Sequence, residues 1–212
     1  MGRMRAFYLA YSISPQAVGK LEDLQSRNSF PTSLPCKIYD ETTRTSMMSS
    51  NFRFTFKPVE VKDQHLVQEW LVQPHIAEWI HGIGLQNTLN GLEKFFRREC
   101  SATYWIAYDK NIPFAFLITS PEGNDATTLD LFICDLNYLG KGIAVPMIQE
   151  FLITQFSNMN RVLIDPEATN KRAIHVYKKV GFKIIREFIA NWHPVPHYQM
   201  ELYMKDLLEA KK

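Results

Sequence analysis

The chain is poor in cysteine, and its few cysteines are badly placed for structural work. Cys36, Cys100 and Cys134 are odd in number, far apart and not in metal-ligand spacing. They offer no disulfide scaffold and point to a reducing cytoplasm. An excess of one charge is also lacking: 24 Lys and Arg against 22 Asp and Glu leave a formal net charge of +2. Without a basic stripe, nucleic acid is not an expected partner. No stretch reaches the about 20 apolar residues of a membrane span, so no membrane association is expected. The opening "MGRMRAFYLAYSIS" is too short and interrupted in its apolar part for a signal sequence. His65, His75, His81, His175, His193 and His197 show no metal spacing and are expected on the surface or in a cleft. Internal repeats are absent. A content of 46% hydrophobic residues over 212 suits one globular domain with an appendage.

The appendage precedes a boundary near residue 50. "DETTRTSMMSSN" is polar, Ser/Thr-rich and without period, which reads as a linker. Residues 1–50 are therefore an extension and linker of unknown function, too small for a core of their own. Met47 and Met48 sit where the self-contained domain begins, which leaves an internal start or a fusion scar open. Residues 51–207 form the domain and 208–212 a tail.

Within the domain, strand and helix patterns alternate. "FRFTFKPVE" reads as a strand, and "DQHLVQEWLV" as a helix with Leu66, Val67, Trp70 and Leu71 on one face. "HIAEWI" continues helically until Gly82 and Gly84 break it, and "LNGLEKFFRREC" reads as another helix. Three strands follow, "TYWIAYD", "IPFAFLITS" and "TLDLFIC", separated by a turn at Lys110-Asn111 and the loop "PEGNDA". A helix from about Gly142 to Phe156 tolerates Pro146 because it lies in the first turn. "RVLID", a helix ending at Gly181, "FKIIREF" and "YQMELYM" close an α/β domain with the two last segments as strands.

Glycine is scarce too, nine in all, yet two stand one apart in "NYLGKGIAVPMIQEF" just before an apolar helix. Gly140 and Gly142 carry no side chain to pack. Their use is to let backbone N–H groups converge where a helix begins, and such a point attracts phosphate.

These residues resemble the GNAT superfamily of acyl-CoA-dependent N-acyltransferases. Its acyl-CoA motif, Q/R-x-x-G-x-G/A, is matched by "NYLGKGIA", with Asn137 in place of Gln or Arg. A second block, "IDPEATNKRAIHVYKKVGF", is similar to the family phrase D-P-x-x-x-N-x-R-A-I-x-x-Y-x-K-x-G-F. The resemblance spans about residues 52–205 and implies a mixed, mostly antiparallel central sheet flanked by helices. "LVQPHIAEWI", "TLDLFI", "LGKG" and "IDP" look like the aminoglycoside 6′-N-acetyltransferases and the related siderophore acyltransferases.

The resemblance implies acetyl-CoA as acyl-donor cosubstrate and a small-molecule amine as acceptor. It places the donor against Phe132, Ile133 and Cys134 of the strand, against Leu139, Gly140, Lys141, Gly142, Ile143 and Ala144 of the turn, and against Asn170, Ala173 and Tyr177. Asp130 is the expected base and Tyr177 the expected acid for the leaving thiolate. Trp79, Asp130 and Asp165 are the expected acceptor contacts. Plainer roles stand beside these. Asn170 can be only a helix cap, Tyr177 and Trp79 core aromatics, Asp130 an edge residue, Asp165 a turn former and Lys141 a solvated loop charge. The short "SPEGNDA" leaves Glu78, Glu122, Asp125, Asp130 and Asp165 as acids for a cationic acceptor. A siderophore hydroxylamine or a protein amine is the alternative acceptor, and an idle acyl-CoA-binding module the rival of another class. The subunit is expected to be a monomer or homodimer.

Overall fold

The computed structural model describes residues 52–190 and 193–211; the extension assigned to residues 1–50 lies outside them. The described residues open with β1 (Phe54–Pro58), followed by α1 (Gln64–Leu71), α2 (Pro74–Ala77) and α3 (Gly82–Phe96). Three strands follow directly, β2 (Thr103–Asp109), β3 (Ile112–Glu122) and β4 (Ala126–Ile133). Then come α4 (Ala144–Phe156), β5 (Arg161–Ile164), α5 (Lys171–Val180), β6 (Lys183–Ala190), β7 (His193–Tyr203) and α6 (Met204–Glu209).

The strands form one sheet in the order β1-β2-β3-β4-β5-β7-β6. Every neighbouring pair is antiparallel except β4 and β5. Period-2 alternation sends successive side chains to opposite faces. Trp105, Ala107, Leu117, Leu129 and Leu131 meet α4, α5 and α6 on one face, around Phe151 and Met147. Tyr104, Ile106, Phe116, Ile118 and Phe132 meet α1, α2 and α3 on the other, around Trp70 and Leu71. Phe151 ties α4 to the sheet, its ring centroid lying 5.0 Å from Phe56 and 5.6 Å from Trp105. Such aromatic pairs each add about 0.5–1.5 kcal/mol beyond area burial.

Three sequence expectations change. Gly82 re-aims the chain with φ of +53°, but it opens α3 rather than only ending a helix, and Gly84 lies inside α3. Met204 is the first residue of α6, not the end of a strand, because its side chain and that of Leu207 turn inward onto the α4 face. His197, expected on the surface or in a cleft, is buried; its Nδ1 lies 2.8 Å from the Val195 carbonyl and its ring stacks on Phe188.

The end of α5 depends on one glycine. Gly181 has φ of +121°, and its N–H reaches the Tyr177 and Lys178 carbonyls at 3.2 and 3.1 Å. An added Cβ would stand 3.1 Å from Leu202 Cδ1. Backbone strain and crowding add, so Gly181→Ala is expected to lower unfolding free energy by about 1–3 kcal/mol. Urea unfolding measures it, and an unchanged midpoint would show that α5 can end another way.

Candidate active site

The site begins where two strands part. β4 and β5 are paired only at Ala126–Arg161, Thr127–Val162 and Thr128–Leu163. Beyond Thr128, β4 stays with β3, and the Cys134 N–H donates to the Phe114 carbonyl at 2.7 Å. Residues of a strand alternate between their two neighbours, so Ile133 and Leu131 direct their backbone polar groups into the gap. The Ile133 carbonyl does so, standing 3.2 Å from His75 Nε2. A cleft of about 730 Å³ opens there, bordered by β4, the 138–146 turn, the 164–166 segment, α5 and the 75–79 segment.

One wall is the glycine turn. Gly140 and Gly142 both have φ of +72°, a conformation that costs a side-chain-bearing residue roughly 1–2 kcal/mol. Asp135 starts the approach, accepting the Asn137 N–H at 2.8 Å. Tyr138 pins it by stacking on Phe114 at 4.5 Å. Burial and the nearby Asp109 carboxylate push the Tyr138 hydroxyl above its ordinary pKa. Asp109 itself is held below the usual carboxylate range by its hydrogen bond from Arg53, at 2.6 Å. Among the described residues no acceptor takes the backbone N–H groups of residues 140–145. Ile143 gives α4 no side-chain cap, and Pro146 removes one N–H from the first turn. These converging donors fit a pyrophosphate.

α5 forms the adjoining wall, and its own start is closed: Asn170 Oδ1 accepts the Ala173 N–H at 3.2 Å. Ala173, Val176 and Tyr177 border the cleft, and Tyr177 is buried with its ring edge-on to Phe182 at 6.0 Å. On the far side stand carboxylates. Asp130 is 8% exposed and Asp165 7%, and both line the cleft with Glu78, Trp79 and His75.

The structure thus gathers Trp79, Asp130, Phe132, Ile133, Leu139, Gly140, Gly142, Ile143, Ala144, Asp165, Asn170, Ala173 and Tyr177 around one cavity. Cys134 and Lys141 are not on its wall. Cys134 is 1% exposed, on the α1–α3 face, and burial pushes its thiol well up. Of the candidate acids, Glu122 and Asp125 lie at the other end of β4, and Asp125 is ion-paired with Arg161 at 3.3 Å. The sequence reading missed Tyr138 and gave no role to His75, Arg172 or Lys179, although Arg172 and Lys179 match the fixed Arg and Lys of the family phrase.

Among the described residues no group of acids, histidines and cysteines could hold a metal, and no helix is long and apolar enough to cross a membrane. Residues 60–190 match the family model described as an acetyltransferase (GNAT) domain. An aminoglycoside N(6′)-acetyltransferase from Legionella pneumophila subsp. pneumophila str. Philadelphia 1 has a crystal structure 54% identical in sequence, with a TM-score of 0.73 over 76% of this chain and 98% of that one. The type 1 aminoglycoside N(6′)-acetyltransferase of Klebsiella pneumoniae is 24% identical, over 67% of this chain and 80% of its own. A structure of the aminoglycoside acetyltransferase AAC(6′)-Ib with coenzyme A and kanamycin is 21% identical, has a TM-score of 0.63 and covers 75% of this chain and 99% of that one. The chain belongs to the GNAT acetyltransferase family. Its fold is that family's fold, and it is an acetyl-CoA-dependent N-acetyltransferase.

The turn yields a direct test. A Cβ at Gly142 meets nothing within 4 Å, but φ is +72°. Valine there forces the turn to re-form without crowding the core. Gly142→Val is expected to weaken acetyl-CoA binding by about tenfold or more, while the strained turn costs no more than about 1–2 kcal/mol of stability, so the protein stays folded. Calorimetry measures it, and an unchanged dissociation constant would move the donor site elsewhere.

Proposed function

We propose that the protein transfers acetyl from acetyl-CoA to a primary amine of a small, cationic, aminoglycoside-like molecule. The observation that carries this reading is one cleft with unclaimed backbone donors on one wall and two buried carboxylates, Asp130 and Asp165, on another. Donors suit the phosphates of the acyl donor. Carboxylates suit an acceptor that arrives as an ammonium ion. The names of the Legionella and Klebsiella relatives support an aminoglycoside among such amines.

The chemistry needs little beyond placement. Asp130 takes a proton from the ammonium, directly or through water, and frees the nitrogen lone pair. The amine attacks the thioester carbon and forms the C–N bond. The tetrahedral oxyanion develops beside the Leu131 and Ile133 N–H groups in the gap, whose fixed dipoles stabilise it. Collapse breaks the C–S bond. The thiolate takes the Tyr177 hydroxyl proton, and the surplus proton on the new amide nitrogen returns to the tyrosine through water. Trp79 and Asp165 hold the rest of the acceptor.

Free thiol release with aminoglycosides, polyamines and lysine derivatives tests the reading. Turnover should favour a polycationic amine, and release with none of them would leave a donor-binding module. Tyr177→Phe keeps the ring against Phe182 and removes the hydroxyl, so kcat should fall while acetyl-CoA affinity and melting temperature hold. Wild-type turnover would return Tyr177 to packing alone. Asp130→Asn keeps shape but loses charge and basicity. It should cost roughly 10²-fold or more in kcat/KM, and the acidic limb of the pH–rate profile should change. A variant with the wild-type rate and limb would show that Asp130 is neither base nor anchor.

A further inference from the structure

Gly140 and Gly142 carry no side chains with which to hold their own turn, and glycine has the most backbone freedom to lose. A turn that moved freely would have to be ordered at each binding event, at a cost in affinity. Two residues ahead of Gly140, Tyr138 is tied to the start of β1 by two parallel routes. One is apolar: the Tyr138 ring stacks on Phe114 at 4.5 Å, and Phe114 meets Phe54 at 5.4 Å. The other is polar. Arg53 grips the Asp109 carboxylate with both Nη2 and Nε, at 2.6 and 3.3 Å. The bond from Arg53 does most to hold that carboxyl below its usual range, and one from the Tyr138 hydroxyl adds to it. Glu150 of α4 joins the same point, its Oε2 accepting the Phe54 N–H at 2.9 Å. The approach to the turn and the helix after it are thus both fastened to residues 53–54. Tyr138 borders the cleft, whereas Arg53, Asp109 and Glu150 do not. Tyr138 also falls on an open position of the acyl-CoA motif, and Arg53 and Asp109 lie outside both family motifs.

Resting on the reading of that turn as the donor site, we propose that Asp109, gripped by Arg53, is a positioning residue for the acyl donor: through Tyr138 it sets the glycine turn before acetyl-CoA arrives. It touches no substrate and moves no proton. Only 13% of the Asp109 side chain is exposed, so its contacts are less screened than those of an open surface pair. A planar guanidinium held at two points also fixes direction, as a lone ammonium would not. The carboxylate that meets the Tyr138 hydroxyl therefore has a set place, and the ring stack on Phe114 fixes the phenol itself. The effect falls on donor binding and leaves the chemical step alone, because Asp130 and Tyr177 stand on other elements, β4 and α5.

Calorimetry with acetyl-CoA and steady-state kinetics on the full chain test this. Tyr138→Phe keeps the stack and removes the hydroxyl, and Asp109→Ala removes the carboxylate. Each should weaken acetyl-CoA binding by about three- to tenfold. In Asp109→Ala the donor KM should rise in step while kcat at saturating donor holds. Both variants break one connection, so the double variant should lose no more than the weaker-binding single one. Arg53→Lys keeps the charge but not the two-point grip, and should fall between wild type and Asp109→Ala. Glu201 is the control: its side chain is also 13% exposed and pairs with Arg161 at 2.9 Å, off the cleft wall. Glu201→Ala should therefore keep the wild-type dissociation constant. Unchanged binding in Asp109→Ala, whatever its melting temperature, would leave Asp109 a structural ion pair and overturn the proposal. Additive losses in the double variant, or an equal loss in Glu201→Ala, would overturn it too. If Gly142→Val also binds like the wild type, the donor-site reading fails with it; if Gly142→Val alone weakens binding, only the role of Asp109 fails.

Discussion

The parting of β4 from β5 is the constraint on which the rest depends. Parallel pairing lasts only to Thr128 and Leu163, because each strand is claimed by its other neighbour. β4 stays registered on β3 through Ile133. β5 stays on β7, and the chain beyond it keeps doing so: the Pro166 carbonyl accepts the Tyr198 N–H at 3.0 Å, and the Ala168 N–H donates to Pro196 at 2.9 Å. Pro166 has no N–H with which to hold β4. Two well-bonded half-sheets therefore diverge. The Leu131 and Ile133 N–H groups, which β5 no longer reaches, face the cleft instead.

That gap carries a cost that the packing around it must offset. Burying a carboxylate among apolar side chains is unfavourable unless it is compensated, and Asp130 stands between Leu129 and Leu131 in the sheet centre. Core density on both faces is what keeps the strand from shifting. Phe151, Phe56 and Trp105 lock one side and Tyr104, Phe95 and Phe116 the other, with centroids 5.0 to 6.0 Å apart. A one-residue slip would exchange Asp130 with Leu129 and reverse both faces. Strand register and the place of the Asp130 carboxylate in the cleft are therefore fixed by the same side chains.

Much of this was legible in the sequence, for identifiable reasons. Short aromatic and β-branched runs bounded by turn signals, "TYWIAYD" and "TLDLFI", read as strands, and Asp130 stood out because it broke an otherwise apolar run. Gly140 and Gly142 were legible because two glycines so close have few uses other than a turn. The C-terminal α6 was not, since Met204 continues the alternation of Met200 and Leu202, and only its burial together with Leu207, three residues on, shows a helix. His197 was not either: its burial depends on pairing with the distant 166–168 segment. Tyr138 escaped because its value lies in stacking on Phe114, a residue brought near only by the fold.

The two helices that begin at the cleft show how the chain separates what it closes from what it leaves open. α5 starts at Asn170, whose side-chain Oδ1 accepts the Ala173 N–H and whose backbone carbonyl accepts the Ile174 N–H, so this helix end is capped within the chain and can serve as a rigid wall. α4 starts at Ile143, which has no such oxygen, and follows two glycines with φ of +72°. Its donors remain unspent, and its dipole end is positive. An internal cap there would stabilise α4 by about 1 kcal/mol and would compete with any phosphate for the same N–H groups. Replacing the cap with a glycine turn gives up that local stability. The anchorage lost at the start of α4 is supplied farther along, where Met147, Ile148, Phe151 and Leu152 are fully buried against the sheet. Packing holds the helix, so its first turn is free to hold a ligand.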